Sequence, residues 1–344
     1  MKKTIYFFSI ILFITCSKSF EEETAQVTKQ NKWVNLEEPY PEGDLGLFPL
    51  MNSPIYKTVQ EVTNLKENDR VAIVSYQNQV KVYPYLYNNK FEVVNDSIGT
   101  YYYAVSYCPQ TKSAVNFNRI TAQKDTLDLV ASGYLYKDNM VPSDKNHQFF
   151  WSQMLMQGIT NNAVTKNLQT LNLVQTNWKT VVDFFPNAKI FYYKGDIVTP
   201  IQTENNATLL RKTTNEVIDA DEVFGIVENY NNLSGKEKNI FAFPLKNQQE
   251  STTLQKFFID GKKTLFISNK KRYFYTTLIT PNNLTFTLDK NQFPPILTDN
   301  EGTKWNAFGY AFEGPRKGQQ LASAKSYIAS WWAWKDFFKN IELK

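Results

Sequence analysis

One pattern occurs twice in this chain, and it sets the architecture before anything else does. Trp151, Gly158, Leu168, Trp178-Lys179 and Asp183-Phe184-Phe185-Pro186-Asn187 are followed in the same order by Trp305, Gly314, Leu321, Trp334-Lys335 and Asp336-Phe337-Phe338-Lys339-Asn340. Ahead of each set stands an apolar run and then a run ending in proline. These are Val71-Ala72-Ile73-Val74 with Val82-Tyr83-Pro84, and Val223-Phe224-Gly225-Ile226-Val227 with Phe241-Ala242-Phe243-Pro244. Landmarks repeated in one order predict two similar supersecondary units, here from an internal duplication. The join is expected within residues 195–220.

Local signals within each unit are mostly strand. Val71–Tyr76, Tyr101–Tyr107, Ile190–Tyr193 and Thr264–Ser268 are short, rich in β-branched and aromatic residues, and bounded by turn formers such as Asn88-Asn89, Asp260-Gly261 and Asn282-Asn283. Two helices are expected. One covers 177–185 and stops at Pro186; the other covers 330–340 and starts on Ser330, a residue suited to capping. Trp331, Trp334 and Phe338 share one helical face and read as core. The expected fold is mainly β (α+β): two similar β-rich units, 41–200 and 201–344, each closed by a short aromatic helix. Gly133 is expected at a strand end or bulge.

The N-terminus reads as an export signal. Lys2 and Lys3 precede an uncharged apolar run from Thr4 to Thr15, too short to span a bilayer stably. The run ends at Leu12-Phe13-Ile14-Thr15-Cys16, which resembles a bacterial lipobox, so residues 1–15 are expected to be removed and Cys16 to carry lipid. Residues 16–40, with Glu21-Glu22-Glu23, read as a solvated tether. These features predict an exported cell-envelope lipoprotein, held by its lipid at the outer membrane. Loss of Lys2 and Lys3 lowers the formal charge from +5 to +3, and the remaining cations are mixed with acids. Nucleic acid is therefore excluded as a partner, because no basic stripe exists to meet phosphates.

With Cys16 lipidated, Cys108 is the one free thiol, and no disulfide framework is available. Stability must come from an apolar core in which aromatics, 15% of the chain, weigh heavily. A catalytic thiolate needs a base, and the single histidine, His147, with Asp96 or Asp144, supplies the residue types of a triad. The alternative is a small buried cysteine on an aromatic strand. One thiol and one imidazole are too few for a metal site, and neither a metal nor another cofactor is expected. Asn95, Asp96, Tyr107, Cys108, Asp144, Trp151 and Gln153 together suggest a polar, aromatic-lined binding cleft for a small molecule. Asn and Asp also serve as turn residues by bonding their own backbone. Glu92, Asp96 and Asp144 are the nearby carboxylates, without a spacing that marks a glycosidase pair.

Asn95-Asp96, Tyr107-Cys108-Pro109, Ser132-Gly133-Tyr134-Leu135-Tyr136, Asp144 and Trp151-Ser152-Gln153 occur in an order that resembles domain-of-unknown-function family 3179. Trp305, Gly309, Gly314-Pro315, Leu321 and Trp331-Trp332-Ala333-Trp334 resemble that family's second half, so the likeness spans about 65–340. The family commonly has a second cysteine three residues after the first, where this chain has Thr111. It often has a histidine before Glu-x-x-Asn-Asp, where this chain has Phe91. The resemblance implies no activity. The expected role is a ligand- or partner-binding envelope ectodomain; the alternative is an envelope enzyme, hydrolase or redox, using Cys108. A third expectation is an assembly component that meets another envelope protein.

Overall fold

Val71, Ala72, Ile73 and Val74 are all fully buried and divide between two cores. Val71 and Ile73 pack with Val82, Val174 and Leu265, whereas Ala72 and Val74 pack with Tyr83 and Tyr103. Successive side chains of a strand leave on opposite faces, so a strand covered on both sides reads as a continuous apolar run. The structure, a computed structural model, describes residues 47–159, 168–195, 220–227 and 240–344. The signal segment 1–15, Cys16, the 16–40 tether and most of the expected join lie outside the described residues.

The first half holds β1 (Ile55–Lys57), β2 (Arg70–Tyr76), β3 (Gln79–Pro84), the one-turn helix α1 (Tyr85–Asn88), β4 (Val93–Ile98), β5 (Tyr101–Cys108) and β6 (Ser113–Asn118). It continues with β7 (Leu129–Tyr136), β8 (Asn139–Asp144), β9 (Trp151–Ser152), β10 (Gln157–Gly158), β11 (Val174–Asn177), α2 (Trp178–Phe184) and β12 (Lys189–Tyr192). The second half holds β13 (Glu222–Ile226), β14 (Ile240–Pro244), β15 (Thr253–Ile259), β16 (Lys262–Asn269), β17 (Phe274–Thr280) and β18 (Phe286–Leu288). After them come β19 (Ile296–Asp299), β20 (Lys304–Asn306), β21 (Ala311–Glu313), β22 (Ser326–Ser330), α3 (Trp331–Phe337) and β23 (Ile341–Leu343). The fold is mainly β with a few short helices. No described helix is long and apolar enough to cross a membrane.

Two four-stranded blocks share one plan. Their strand orders are β12-β3-β2-β11 and β23-β14-β13-β22. In each, the hairpin partners are antiparallel and the strand after the helix returns parallel to the second strand. Registers agree as well: Val71 faces Pro84 as Val223 faces Pro244, and Asn177 faces Arg70 as Ser330 faces Glu222. This alignment corrects one detail of the sequence repeat. Trp178 corresponds to Trp331, the first helical residue in each block, and not to Trp334, because backbone pairing sets where each helix begins. The helices do not close the units either; β12 and β23 follow them. Nor does the Ser330 side chain cap its helix, whereas the Asn177 side chain accepts from Thr180 N at 2.9 Å.

Between the second and third strands each block carries a long insert, and each insert serves the other block. The first three strands of each form an antiparallel meander, β4-β5-β6 and β15-β16-β17. The second meander joins the first block through β17 and β11, with Gln175 opposite Tyr275, and so builds an eight-stranded sheet. The first meander meets the second block, where Ser330 N donates to Thr111 O at 2.9 Å. The cores follow this exchange. One unites Cys108, Val115, Phe117 and Trp151 with Tyr327, Trp331 and Trp334; another unites Val71, Ile73 and Trp178 with Leu265, Phe274 and Trp305.

Turn chemistry sets the hairpins. Gln77-Asn78, Lys137-Asp138 and Asp260-Gly261 each join paired strands through two residues with positive φ, the type I′ geometry that suits the twist of a hairpin. Gly133, at φ +86°, lies where the register of β7 against β8 slips between Ala131 and Leu135.

Candidate functional site

The β4–β5 hairpin separates the motif residues onto different sides. Glu92, just before β4, accepts from Tyr107 N through its carbonyl at 2.8 Å, which brings its side chain to Cys108 at the end of β5. Cys108 is 1% exposed, among Val93, Val115, Met140 and Trp151. Its sulfur accepts from Met140 N at 3.4 Å and is also bonded by Thr111. Burial pushes the thiol up, and a charge on Glu92 pushes it further. Burial also raises the Glu92 carboxyl to about 8. No hydrogen bond to that carboxyl occurs among the described residues. It opens on a cleft of about 30 Å³ with Gln110, Ser132, Gly133 and Tyr134 on its walls, room for one or two waters.

A triad does not assemble here. His147 sits in the turn after β8, sharing a hydrogen bond with Ser143 Oγ at 2.8 Å and stacking on Phe150. Cys108 meets the opposite end of that strand, at Met140, and three residues of strand span about 10 Å. Asp144 is occupied by its own turn, accepting from Asn146, Gln148 and Phe149 N at 3.1, 2.8 and 2.6 Å. Asp299 repeats that role in the second half, accepting from Glu301 and Thr303 N at 2.9 Å each and from Trp305 Nε1 at 2.9 Å. The described residues contain no group of three or more His, Cys, Asp and Glu side chains placed to share a metal ion.

The other motif residues are satisfied inside the fold. Gln153 is fully buried, accepting from Ser113 Oγ at 2.6 Å and Asn139 Nδ2 at 2.8 Å and donating to Ser106 Oγ at 2.9 Å. Asn95 donates to Leu129 O and Met51 O at 2.7 and 3.1 Å and accepts from Leu129 N at 2.9 Å, stitching β4 to β7. Trp151 is 1% exposed, and Tyr107 stacks on Tyr85 with centroids 4.0 Å apart. Asn95, Asp144, Trp151 and Gln153 therefore do not line one cleft with Cys108.

Asp96 lies on the opposite face of β4 from Asn95. Lys81 Nζ reaches it at 2.7 Å, the hydroxyls of Tyr56 and Tyr83 bond it, and Tyr83 and Tyr103 hydroxyls meet at 2.6 Å. Burial works against both charges, raising Asp96 to about 7 and lowering Lys81 to about 8. The short ion pair and the phenol donors offset that cost.

The two departures from the resembled family fall in different places. Thr111 touches Cys108 and is hydrogen-bonded to Asn139 Nδ2 at 2.9 Å, so a side chain at 111 reaches the thiol. Phe91 instead packs edge-on against Phe191 and Tyr193 in another core, away from the thiol. Glu92 is the neighbour that sequence reasoning left unassigned. Its signal was its place four residues before Asp96, just ahead of the strand that pairs with the cysteine strand. No curated protein and no solved structure matches the chain. Residues 46–341 match the family described as Protein of unknown function (DUF3179), and the chain belongs to that family.

Proposed function

We propose that this protein is an exported bacterial lipoprotein, anchored through Cys16, whose ectodomain binds a ligand or an envelope partner without transforming it. The observation that carries this reading is the state of Cys108: a buried thiol held neutral, beside a carboxyl that itself keeps its proton to about 8, with the histidine elsewhere. A thiol nucleophile requires a thiolate, and the hydrogen bonds from Thr111 and Met140 do not lower the thiol's pKa enough to offset burial and Glu92. The reading needs no cofactor. The shared order, register and landmarks of the two blocks support their origin in an internal duplication.

The test is the rate of Cys108 alkylation in the folded protein across pH. Slow reaction is expected, with an apparent pKa above that of a free thiol, and faster reaction at alkaline pH in Glu92→Gln. Rapid alkylation well below the ordinary thiol range would favour an envelope enzyme of hydrolase or redox type.

A further inference from the structure

We infer that a second cleft, where the two strand blocks meet, binds a small molecule through a carboxylate or phosphoryl group, with Tyr275 in its wall and Arg70, Lys270 and Lys271 around it. This goes beyond the Cys108 reading and does not depend on it.

The cleft has a volume of about 270 Å³, and Arg70, Asn177, Lys270, Lys271, Tyr273 and Tyr275 are among its walls. Tyr275 is 1% exposed, yet its hydroxyl has no hydrogen-bond partner. Buried polar groups are nearly always paired, and one left unpaired beside a cleft points to something that completes it. Tyr275 shares the cleft lining with Arg70 and Glu222, and burial keeps its hydroxyl protonated as a donor.

The remaining groups are donors too. The Arg70 guanidinium carbon sits over the Tyr273 ring, 3.2 Å from its centroid, and the group meets Glu222 only at 3.6 Å, so it retains free N–H groups. Lys270 pairs with Glu250 at 3.5 Å and donates to Lys246 O at 2.9 Å, and Lys271 has no ion-pair partner among the described residues. Four cations, with Lys246 the fourth, and one carboxylate, Glu222, line the cleft, although Lys246 is already paired with Asp221 at 2.7 Å. A lining in which charged donors outnumber the one carboxylate is matched by a ligand that presents acceptors, and charged acceptors bind best. The volume lies at the small end of ligand clefts, so a metabolite fits and a polymer does not.

The repeat adds an independent reason to read this as a built site. Lys270 and Lys271 belong to the loop joining β16 to β17, the counterpart of the 109–112 loop joining β5 to β6. Lys112 and Tyr273, at φ +57° and +48°, turn the chain at the same point of each. The second half thus places two lysines where the first half places Pro109 and Gln110.

The test uses the full chain purified in detergent, titrated with inorganic phosphate and with citrate by calorimetry and thermal melting at constant ionic strength. Saturable binding that raises the melting temperature is expected, weakened about tenfold or more in Tyr275→Phe and in Lys271→Ala. Tyr275→Phe without ligand should melt no lower than the parent, since it keeps the ring and removes an unpaired hydroxyl. Binding of citrate alone assigns a carboxylate ligand, and binding of phosphate alone a phosphoryl one. No saturable binding of either in the millimolar range, or equal affinity in parent and both variants, would overturn the inference.

Discussion

Arg70 and Glu222 hold the same position in the two strand blocks and face each other at 3.6 Å. Each opens the central strand of its block, and each follows an aspartate whose carbonyl accepts from the first helical tryptophan. Trp178 N meets Asp69 O and Trp331 N meets Asp221 O, both at 2.8 Å. The two blocks, alike in strand order and register, therefore meet at this pair. Identical charges at both places would repel. The halves differ there, and the difference makes an ion pair that also receives the Tyr273 hydroxyl at 2.9 Å on Glu222.

Replacing Glu222 by glutamine removes that ion pair and weakens the tyrosine hydrogen bond. The expected loss is about 1 kcal/mol in urea unfolding, with about 0.5 kcal/mol of coupling to Arg70→Gln in a double-mutant cycle, because the arginine is partly exposed. Zero coupling would show that the two charges are independent.

Gly225 is predicted to tolerate no side chain. A Cβ there would lie 2.3 Å from ring atoms of Trp334, which is fully buried, stacked on Tyr327 at 4.6 Å and bonded through Nε1 to Val223 O at 3.1 Å. Gly225→Ala should cost about 2–3 kcal/mol by overpacking. Adding Trp334→Phe should cost less than the sum of the two single changes.

Glu92 should tilt the pH dependence of stability. Its folded value, about 8, lies above the ordinary 4.5, so across that interval the folded protein keeps a proton that the unfolded chain has released. The group's stabilising contribution is complete below about pH 4 and is lost as pH rises through 8. Unfolding of Glu92→Gln measured at pH 5 and pH 8 should show a gain over the parent at the higher pH, on the order of 1–2 kcal/mol. Parallel pH profiles would refute the assignment.

Asp96→Asn leaves the Lys81 ammonium, 12% exposed, without its counter-charge. A loss of about 2–4 kcal/mol in urea unfolding at pH 7 is expected, because an unpaired buried charge is costly. Lys81→Met in the same background should recover part of it, and no recovery would mean that the tyrosine network rather than the lysine carries the penalty.

Anchoring through Cys16 predicts that Cys16→Ala moves the protein from the membrane to the soluble fraction of cells. Retention in membranes after a carbonate wash would remove the lipid anchor from the proposal.

Much of the architecture was legible because its signals are local or periodic. Short aromatic and β-branched runs marked strands, Asp260-Gly261 marked a hairpin, the proline-ended runs and aromatic helices marked the repeated block, and cysteine arithmetic left Cys108 as a free thiol. The site was less legible. Alternation along β4 sends Asn95 and Asp96 to opposite faces, so neighbours in sequence part company, while Glu92 reaches Cys108 only because β4 pairs with β5. The exchange of inserts lay beyond local reading altogether. Whether β17 completes its own block or the other one depends on which apolar faces can be covered together, as Gln175 opposite Tyr275 records. That choice, made between residues 100 positions apart, also gathers Arg70, Lys271 and the unpaired Tyr275 hydroxyl around one cleft. Propensity and spacing specify the strands; long-range burial specifies their partners, and with them the sites.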